Sequence, residues 1–268
     1  MIRVDIIMGI YNCEKYLADS IDSVLAQTFV NWRLVMCDDN SSDGTLKIAE
    51  NYAKMYPKKI ILLKNKKNMG LNYTLNKCLK NTTAEYIARQ DGDDISKPDR
   101  LKREVEFLDN NPDVSFVSTN AELFDEGGVW GKTKYVEKPT RYDFLSISPF
   151  CHAAVLIRRD SIVRVGGYSV DKKLLRVEDY HLWFKLYSVA LFGCNIQDCL
   201  YCIRDDRRAA DRRTSNNRVN EYYVRKIGYK MLNMPWYLRL YRFRPIILSL
   251  FPKKIYTVMH RIKQKRVD

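Results

Sequence analysis

The chain has 268 residues, of which 46% are hydrophobic and 12% aromatic, and this composition excludes a disordered, fibrous or repeat protein. Its length allows one large α/β domain, or a core domain with an appendage. The net charge of +14 is concentrated at the C-terminus, because residues 1–200 contain 28 Lys and Arg against 27 Asp and Glu, whereas residues 201–268 contain 18 against 5. We therefore expect the C-terminal segment to face an anionic partner.

The first hundred residues alternate short apolar runs with helical patterns. Val4–Gly9 predicts a strand, and residues 17–25 predict a helix because their apolar side chains recur at helical spacing. The same alternation continues with strands at 33–37, 59–63 and 85–89 and with helices from 43, at 70–79 and after 96. Strands that alternate with helices predict an α/β fold with a doubly wound, mostly parallel sheet.

Beyond residue 110 the alternation is looser. We expect strands at 114–124, 151–157 and 194–203, a helix at 178–189, and a further helix at 216–231. These patterns predict one domain over residues 1–205, in which 1–110 binds a nucleotide and 111–205 shapes a second substrate site. Residues 206–268 then form a basic, helical C-terminal extension.

Two features predict a cytoplasmic location. No stretch approaches the roughly 18–20 apolar residues that span a bilayer, and the short apolar start runs directly into polar residues 12–15, unlike a signal peptide. Seven cysteines, an odd number in a long chain, favour a reducing compartment over a disulfide framework.

Two acidic clusters follow predicted strands. Asp38 and Asp39 come after the second strand, and Asp91, Asp93 and Asp94 come after the fourth. Ligands of such sheets bind beyond the carboxyl ends of the strands, so both clusters can face one crevice. Three carboxylates within four residues repel one another unless a cation lies among them, and Mg²⁺ or Mn²⁺ prefers oxygen ligands and substrate phosphates. The cluster therefore indicates a metal-bound phosphorylated ligand; the alternative is a helix cap in a solvated turn.

Six motifs occur in a characteristic order: DIIMGIYNCEKYL, VMCDDNSSDGT, KKNMGLNYTLNKCL, ARQDGDDISKPDRL, GGYS and VEDYHLWFKL. In order and spacing they resemble the inverting, metal-dependent glycosyltransferases of family 2, over roughly residues 2–203. The stretch RDDRRAADRRTSNNR further downstream resembles the subset of capsule and exopolysaccharide transferases that carry an Arg pair there. The family resemblance implies the GT-A fold, which is a Rossmann-like version of the predicted sheet.

The resemblance also implies a donor site. It assigns the binding of the nucleotide sugar to a set of seven residues: Gly9, Tyr11, Asp38, Asp39, Asn68, Gly70 and Asp91. Asp93 is expected to ligate Mn²⁺ or Mg²⁺ directly, Asp91 to act as ligand or ribose contact, and Asp94 to support them. Strand-end packing remains the alternative for Tyr11, and a turn position for Asp38.

On the acceptor side, the resemblance assigns Asp179 as the catalytic base, with Glu178 beside it. A carboxylate in a partly dry site has a raised pKa, which suits removal of a proton from the acceptor hydroxyl. Trp183, four residues on, is expected either to stack on the acceptor sugar or to join the core. His152 is expected either on the acceptor or phosphate side, or as a buried histidine.

The sequence departs from the family after the last strand. Many members have a histidine there that can reach the metal or diphosphate, but this chain has Arg204, which cannot ligate a metal. The arginines that follow could clamp the leaving diphosphate or face solvent or lipid: Arg207, Arg208, Arg212 and Arg213.

Aromatic and basic residues interleave from Trp236 to Arg244, and apolar residues at helical spacing follow over 255–262 with basic residues around them. This pattern predicts contact with an anionic membrane surface, although a dimerising helix or an RNA-binding tail has a similar composition.

The sequence thus predicts a peripheral glycosyltransferase on the inner face of the bacterial cell membrane. It would transfer a hexose or N-acetylhexosamine from a nucleotide diphosphate sugar, UDP-linked by preference, to a free or lipid-linked saccharide. The competing hypotheses are a phosphatase with Asp91 or Asp93 as nucleophile and a non-catalytic nucleic-acid-binding protein that uses the basic tail. The acidic crevice argues against nucleic acid as a partner of the core domain.

Overall fold

The computed structural model describes residues 2–205 and 215–249. Its strands form one nine-stranded sheet in the order β3 (Ile60–Lys64), β2 (Trp32–Asp38), β1 (Val4–Ile10), β4 (Tyr86–Arg89), β8 (Leu156–Arg158), β6 (Phe116–Asp125), β9 (Gly193–Arg204) and β5 (Ile95–Ser96), with β7 (Gly128–Lys132) paired to β6. The α/β fold predicted from the alternation of elements is confirmed. The Arg cluster at 207–213 and the amphipathic pattern at 255–262 lie outside the described residues.

The first half of the sheet is parallel, as the sequence predicts. Its pairs are β1 with β2, β1 with β4 and β2 with β3. The elements are β1 (Val4–Ile10), α1 (Leu17–Leu25), β2 (Trp32–Asp38), α2 (Thr45–Met55), β3 (Ile60–Lys64), α3 (Leu71–Leu79), β4 (Tyr86–Arg89), β5 (Ile95–Ser96) and α4 (Arg100–Asn110).

Both faces of this sheet are covered, and β1 shows why its sequence is nearly all apolar. Val4, Ile6 and Met8 pack into one hydrophobic cluster, and Ile7 points into the other. Alternate residues of a strand point to opposite faces, so a strand that is buried on both faces needs a continuous apolar run.

The second half is mixed rather than parallel. β6 runs parallel to β9, but β8 is antiparallel to both β4 and β6. The elements are β6 (Phe116–Asp125), β7 (Gly128–Lys132), β8 (Leu156–Arg158), α5 (Arg159–Arg164), α6 (Glu178–Ser188) and β9 (Gly193–Arg204). The strand predicted at 151–157 is wrong over most of its length, because residues 152–154 form a 3-10 turn.

Two helices follow the undescribed segment: α7 (Ser215–Met231) and α8 (Arg244–Ser249). Val224, Tyr229, Leu232 and Met234 are buried in the same hydrophobic cluster as α6. Residues 224–234 therefore pack as part of the folded core. The domain boundary predicted at residue 205 stays a prediction. None of the helices in the described parts of the chain is long and apolar enough to span a membrane.

Candidate active site

The two acidic clusters lie at the same edge of the sheet. In the parallel register Ile10 of β1 pairs with Asp38 of β2, and Ile7 pairs with Arg89 of β4. Asp39 and the loop 91–94 therefore both follow the carboxyl ends of neighbouring strands. The predicted convergence of the two clusters on one edge is confirmed.

The turn after β1 joins these clusters. The Asn12 side-chain oxygen accepts a hydrogen bond from the Ser42 amide at 2.9 Å, which ties this turn to the loop after β2. A Cβ on Gly92 would lie 3.0 Å from the Cys13 sulfur, so the acidic loop packs closely on the same turn. Ser20 of α1 also donates to the Asp91 carbonyl at 2.8 Å. The three loops form one continuous surface.

Asp39 organises the wall of the predicted nucleotide site. It is buried, and its carboxylate accepts hydrogen bonds from the Asn65 amide group and from the backbone amides of Met69 and Gly70, each at 2.8 Å. Gly70 has φ +85°, a conformation that glycine adopts without strain and that lets the loop turn into α3. Base recognition by Asp39 stays a prediction, and its visible role is to hold this loop.

The other predicted donor-site residues differ in exposure. Asp38 is buried, and one of its carboxylate oxygens accepts from the amides of Asn40 and Ser41. Its other oxygen has no hydrogen-bond partner among the residues that the structure describes. Tyr11 and Asn68 are exposed at this edge and free to contact a ligand. A Cβ on Gly9 would lie 3.1 Å from Leu71, so close packing of β1 on α3 explains that glycine.

The three carboxylates of the acidic loop have different surroundings. Asp91 pairs with Arg89, and Asp94 is buried and accepts the Arg204 amide at 2.8 Å. Asp93 is exposed at the tip, yet partial desolvation and the charge of Asp91 raise its pKa. Burial likewise raises the pKa of Asp94, with the neighbouring carboxylates adding to the effect. Within the described residues no side chain donates to the Asp93 carboxylate, which leaves it available as a ligand.

Arg89 at the end of β4 was not predicted as a site residue. Its side chain is 2% exposed, and it donates to Asp91 and, at 2.7 Å, to Nδ1 of His152. It also interacts electrostatically with Glu178 and Asp179. A buried cation next to an acidic cluster is a signal that the sequence contained, since Arg89 lies two residues before Asp91 on an apolar strand.

His152 has both ring nitrogens engaged, which matches the buried alternative. Burial and the charge of Arg89 lower its pKa well below the usual value, so the ring is neutral. Because Arg89 can only donate, Nδ1 accepts and Nε2 carries the proton, which it donates to the Tyr168 hydroxyl at 2.9 Å. The ring accepts a hydrogen bond from Arg89 and donates one to Tyr168. Because both nitrogens already have partners, contact between His152 and the acceptor is not favoured.

The predicted base lies in the first turn of α6. Asp179 is half-buried, and Ser148 donates to its Oδ2 atom at 3.0 Å. Burial raises the pKa of Asp179, and burial together with the charge of Asp179 raises the pKa of Glu178. Glu178 and Asp179 both interact electrostatically with Arg89, which also bonds to Asp91, so one guanidinium interacts with the acidic loop and with the predicted base.

The prediction that Trp183 stacks on an acceptor sugar is wrong. Trp183 has no exposed surface, and its ring stacks on Phe116 with centroids 4.9 Å apart and meets the edge of Phe150 at 5.4 Å. Asp179 and Trp183 share a helix, but the face that carries Trp183 is buried against the sheet. Helical spacing alone could not distinguish a ligand-facing aromatic from a core one.

Arg204 brings positive charge to the acidic loop. Its Nε atom donates to the Asp93 carbonyl at 3.1 Å, and its guanidinium lies 3.9 Å from the ring centre of Tyr16. The side chain is thus held beside Asp93, the predicted metal ligand. Arg207, Arg208, Arg212 and Arg213 lie outside the described residues, so their role as a diphosphate clamp stays a prediction.

The acidic loop provides some, but not all, of the ligands that a hard divalent cation needs. Asp91 and Asp93 provide carboxylate oxygens, as Mg²⁺ and Mn²⁺ prefer. In residues 2–205 and 215–249, however, no group of three or more His, Cys, Asp or Glu side chains is arranged to hold a metal. Such an ion would therefore take the rest of its ligands from phosphate and water.

Comparisons with known proteins agree with this geometry. The family model for Glycosyl transferase family 2 matches residues 5–166. EpsE of Bacillus subtilis (strain 168), a protein named for a glycosyltransferase activity, is 38% identical over 265 residues, which are 99% of this chain and 94% of EpsE. WfgD of Escherichia coli, named UDP-Glc:alpha-D-GlcNAc-diphosphoundecaprenol beta-1,3-glucosyltransferase, is 33% identical over 184 residues, which are 68% of this chain and 69% of WfgD.

The fold has a counterpart among solved structures. The mannosyltransferase PcManGT of Pyrobaculum calidifontis, solved with GDP-Man and Mn²⁺, superposes with a TM-score of 0.63 at 19% identity, and the match covers 96% of this chain and 83% of that one. The relatives support neither a phosphatase nor a nucleic-acid-binding protein. The chain belongs to glycosyltransferase family 2 and is a transferase with the GT-A fold.

Proposed function

We propose that this enzyme transfers a hexose or N-acetylhexosamine from a UDP-linked sugar to a lipid-linked saccharide, with inversion at the anomeric carbon, during bacterial surface polysaccharide assembly. The observation that carries the proposal is that buried Arg89 interacts with both the acidic loop and the carboxylate pair that includes the base. Asp91 bonds to this buried guanidinium, and Glu178 and Asp179 interact with it electrostatically. This shared guanidinium supports a single site for donor and acceptor.

Asp179 acts as the base in this proposal. An acceptor hydroxyl must lose its proton as it attacks the anomeric carbon, and a half-buried carboxylate with a raised pKa is a better proton acceptor than a solvated one. The hydrogen bond from Ser148 orients one carboxylate oxygen of Asp179. One in-line displacement then inverts the anomeric centre.

Asp91 and Asp93 would hold the divalent ion, which supplies positive charge to the departing diphosphate when it is bound. Arg204 adds a fixed positive charge at the same loop through its bond to the Asp93 carbonyl. Guanidinium groups match phosphate oxygens well, so we expect Arg204 to contact the diphosphate.

The choice of substrates rests on relatives. The name of WfgD specifies a UDP-linked donor and an acceptor linked to diphosphoundecaprenol. A lipid-linked acceptor requires access to a membrane surface, and residues 236–247 carry exposed aromatic and apolar side chains with arginines between them: Trp236, Tyr237, Leu240, Tyr241, Phe243 and Ile247. Amphipathic, basic surfaces of this kind bind anionic lipids. We infer peripheral binding at the cytoplasmic face of the cell membrane.

The transferase test incubates purified protein with a panel of UDP- and GDP-sugars, Mn²⁺ and a GlcNAc-diphospholipid acceptor, and follows nucleotide release and glycolipid product. We expect a UDP-sugar to be used, with activity lost on removal of Mn²⁺ and abolished in Asp179→Asn. Product formation by Asp179→Asn at the rate of the unsubstituted enzyme would exclude Asp179 as the base.

The membrane test measures cosedimentation with vesicles of phosphatidylglycerol and phosphatidylcholine. We expect binding that falls with salt, and weaker binding for the double variant Trp236→Ala with Tyr237→Ala. The matched control is Tyr142→Ala, an exposed tyrosine outside residues 236–247. Equal binding by the double variant and the control would contradict a role for this surface.

A further inference from the structure

The segment that reaches the base is held by side chains from helices rather than by a sheet. Residues 144–148 begin within the short 3-10 turn Asp143–Leu145, and three consecutive carbonyls, of Phe144, Leu145 and Ser146, accept hydrogen bonds from side chains. Buried or half-buried carbonyls outside regular structure need such donors. The donors determine where this segment lies.

Arg225 of α7 provides two of these bonds. Its side chain is 1% exposed, and its two terminal nitrogens donate to Leu145 at 2.7 Å and to Ser146 at 3.0 Å. Glu221, one turn earlier, accepts from the same guanidinium at 3.0 Å. The planar fork of an arginine holds two neighbouring carbonyls and a carboxylate in a fixed geometry, which the single ammonium of a lysine does not reproduce.

The rest of the C-terminal segment reinforces this contact. Arg244, the first residue of α8, also donates to the Ser146 carbonyl, and Tyr229 of α7 donates to the Phe144 carbonyl at 3.3 Å. Asn220 of α7 donates to the Leu175 carbonyl at 3.0 Å, in the segment just before α6. Residues from 215–249 therefore contact both segments that lead to the base.

One residue separates Ser146, which accepts from Arg225, from Ser148, which contacts the proposed base. Ser148 follows Ser146 by two positions, and its hydroxyl donates to Asp179 at 3.0 Å. A shift of the 144–148 segment would move that hydroxyl away from the carboxylate. Arg225 does not contact the reacting groups, but it fixes the segment that orients one of them.

We propose that Arg225 is a positioning residue of the transfer reaction, which acts through Ser148 to orient Asp179. The basic C-terminal segment is then part of the catalytic machinery as well as a surface for lipid. This inference rests on the proposed role of Asp179 as base.

The experiment measures kcat, the Kd for UDP-sugar with Mn²⁺, and Tm for Arg225→Lys, Ser148→Ala and the double variant. Loss of a hydrogen bond to a charged group predicts a fall in kcat of about tenfold for Ser148→Ala. We expect a fall of roughly five- to tenfold for Arg225→Lys, from misplacement of the base. Donor Kd stays within about twofold, since the contacts lie on the acceptor side.

The double variant distinguishes positioning from stability. If Arg225 acts through Ser148, the double variant has the kcat of Ser148→Ala alone, and Ser148→Thr, which keeps the hydroxyl, recovers most of the activity. The matched control is Arg158→Lys, because Arg158 also donates to backbone carbonyls, at Val114 and Leu108, which belong to neither the 144–148 segment nor the segment just before α6. We expect this control to lower Tm without lowering kcat.

Two outcomes would overturn the inference while Asp179→Asn stays inactive. One is a kcat for Arg225→Lys within twofold of the unsubstituted enzyme, and the other is a double variant that loses the product of the two single effects. Full activity in Asp179→Asn would instead refute the proposed function itself. The two failures are therefore distinguishable.

Discussion

Substitution of Arg89 by methionine tests whether the acidic loop depends on a buried cation. Methionine keeps the apolar stem but removes both hydrogen bonds of the guanidinium, to Asp91 and to His152. Asp91 then remains beside Asp93 and Asp94 without its counterion. We expect both a loss of stability and a loss of donor binding.

The loss of stability expected for Arg89→Met depends on how exposed the Asp91 carboxylate is to solvent. Removing one partner of a buried ion pair costs about 3–5 kcal/mol. The Asp91 side chain is 31% exposed, so solvent screens the abandoned charge and reduces the cost to about 2–3 kcal/mol. The lost bond to His152 adds about 1 kcal/mol. For a chain of this size these losses predict a fall in Tm of roughly 10 °C.

The assay combines differential scanning fluorimetry with nucleotide release at a temperature at which each variant is folded. Arg33→Met is the matched control, because Arg33 of β2 forms an ion pair at 2.8 Å with Asp5, a buried residue near the start of β1 and away from the candidate site. We expect both variants to lose stability, but only Arg89→Met to lose the increase in Tm that UDP and Mn²⁺ produce. A donor-induced increase in Tm that is the same in Arg89→Met and the unsubstituted enzyme would refute the reasoning.

Three further predictions concern single side chains. Trp183 lies in the core, so Trp183→Phe should leave the KM for acceptor within about twofold and lower the free energy of unfolding, measured in urea, by roughly 1–3 kcal/mol. A large rise in KM would restore the sugar-stacking hypothesis. Arg204→Ala should weaken binding of UDP more than that of uridine in calorimetry, and equal weakening would argue against diphosphate contact. Ser148→Ala should move the acidic limb of the pH profile of kcat to higher pH, because the Ser148 hydrogen bond lowers the pKa of Asp179 and only the ionised carboxylate accepts a proton. An unchanged acidic limb would contradict this role of Ser148.

The sequence by itself determined the layout of the donor half. Short apolar strands alternate with amphipathic helices, and this local periodicity records burial directly. Because parallel strands share one carboxyl edge, the positions of Asp38, Asp39 and Asp91–Asp94 along the chain were enough to predict that they share one edge of the sheet.

Only the tertiary structure decided which side chains of the acceptor half face the site. Trp183 and Asp179 are four residues apart on one helix, yet packing against Phe116 buries the first and leaves the second half-exposed. Arg89 and Arg225 acquire their roles from partners far away in sequence, 63 residues for His152 and 80 for Leu145. Local periodicity contains no information about such contacts, because they depend on how whole elements pack together.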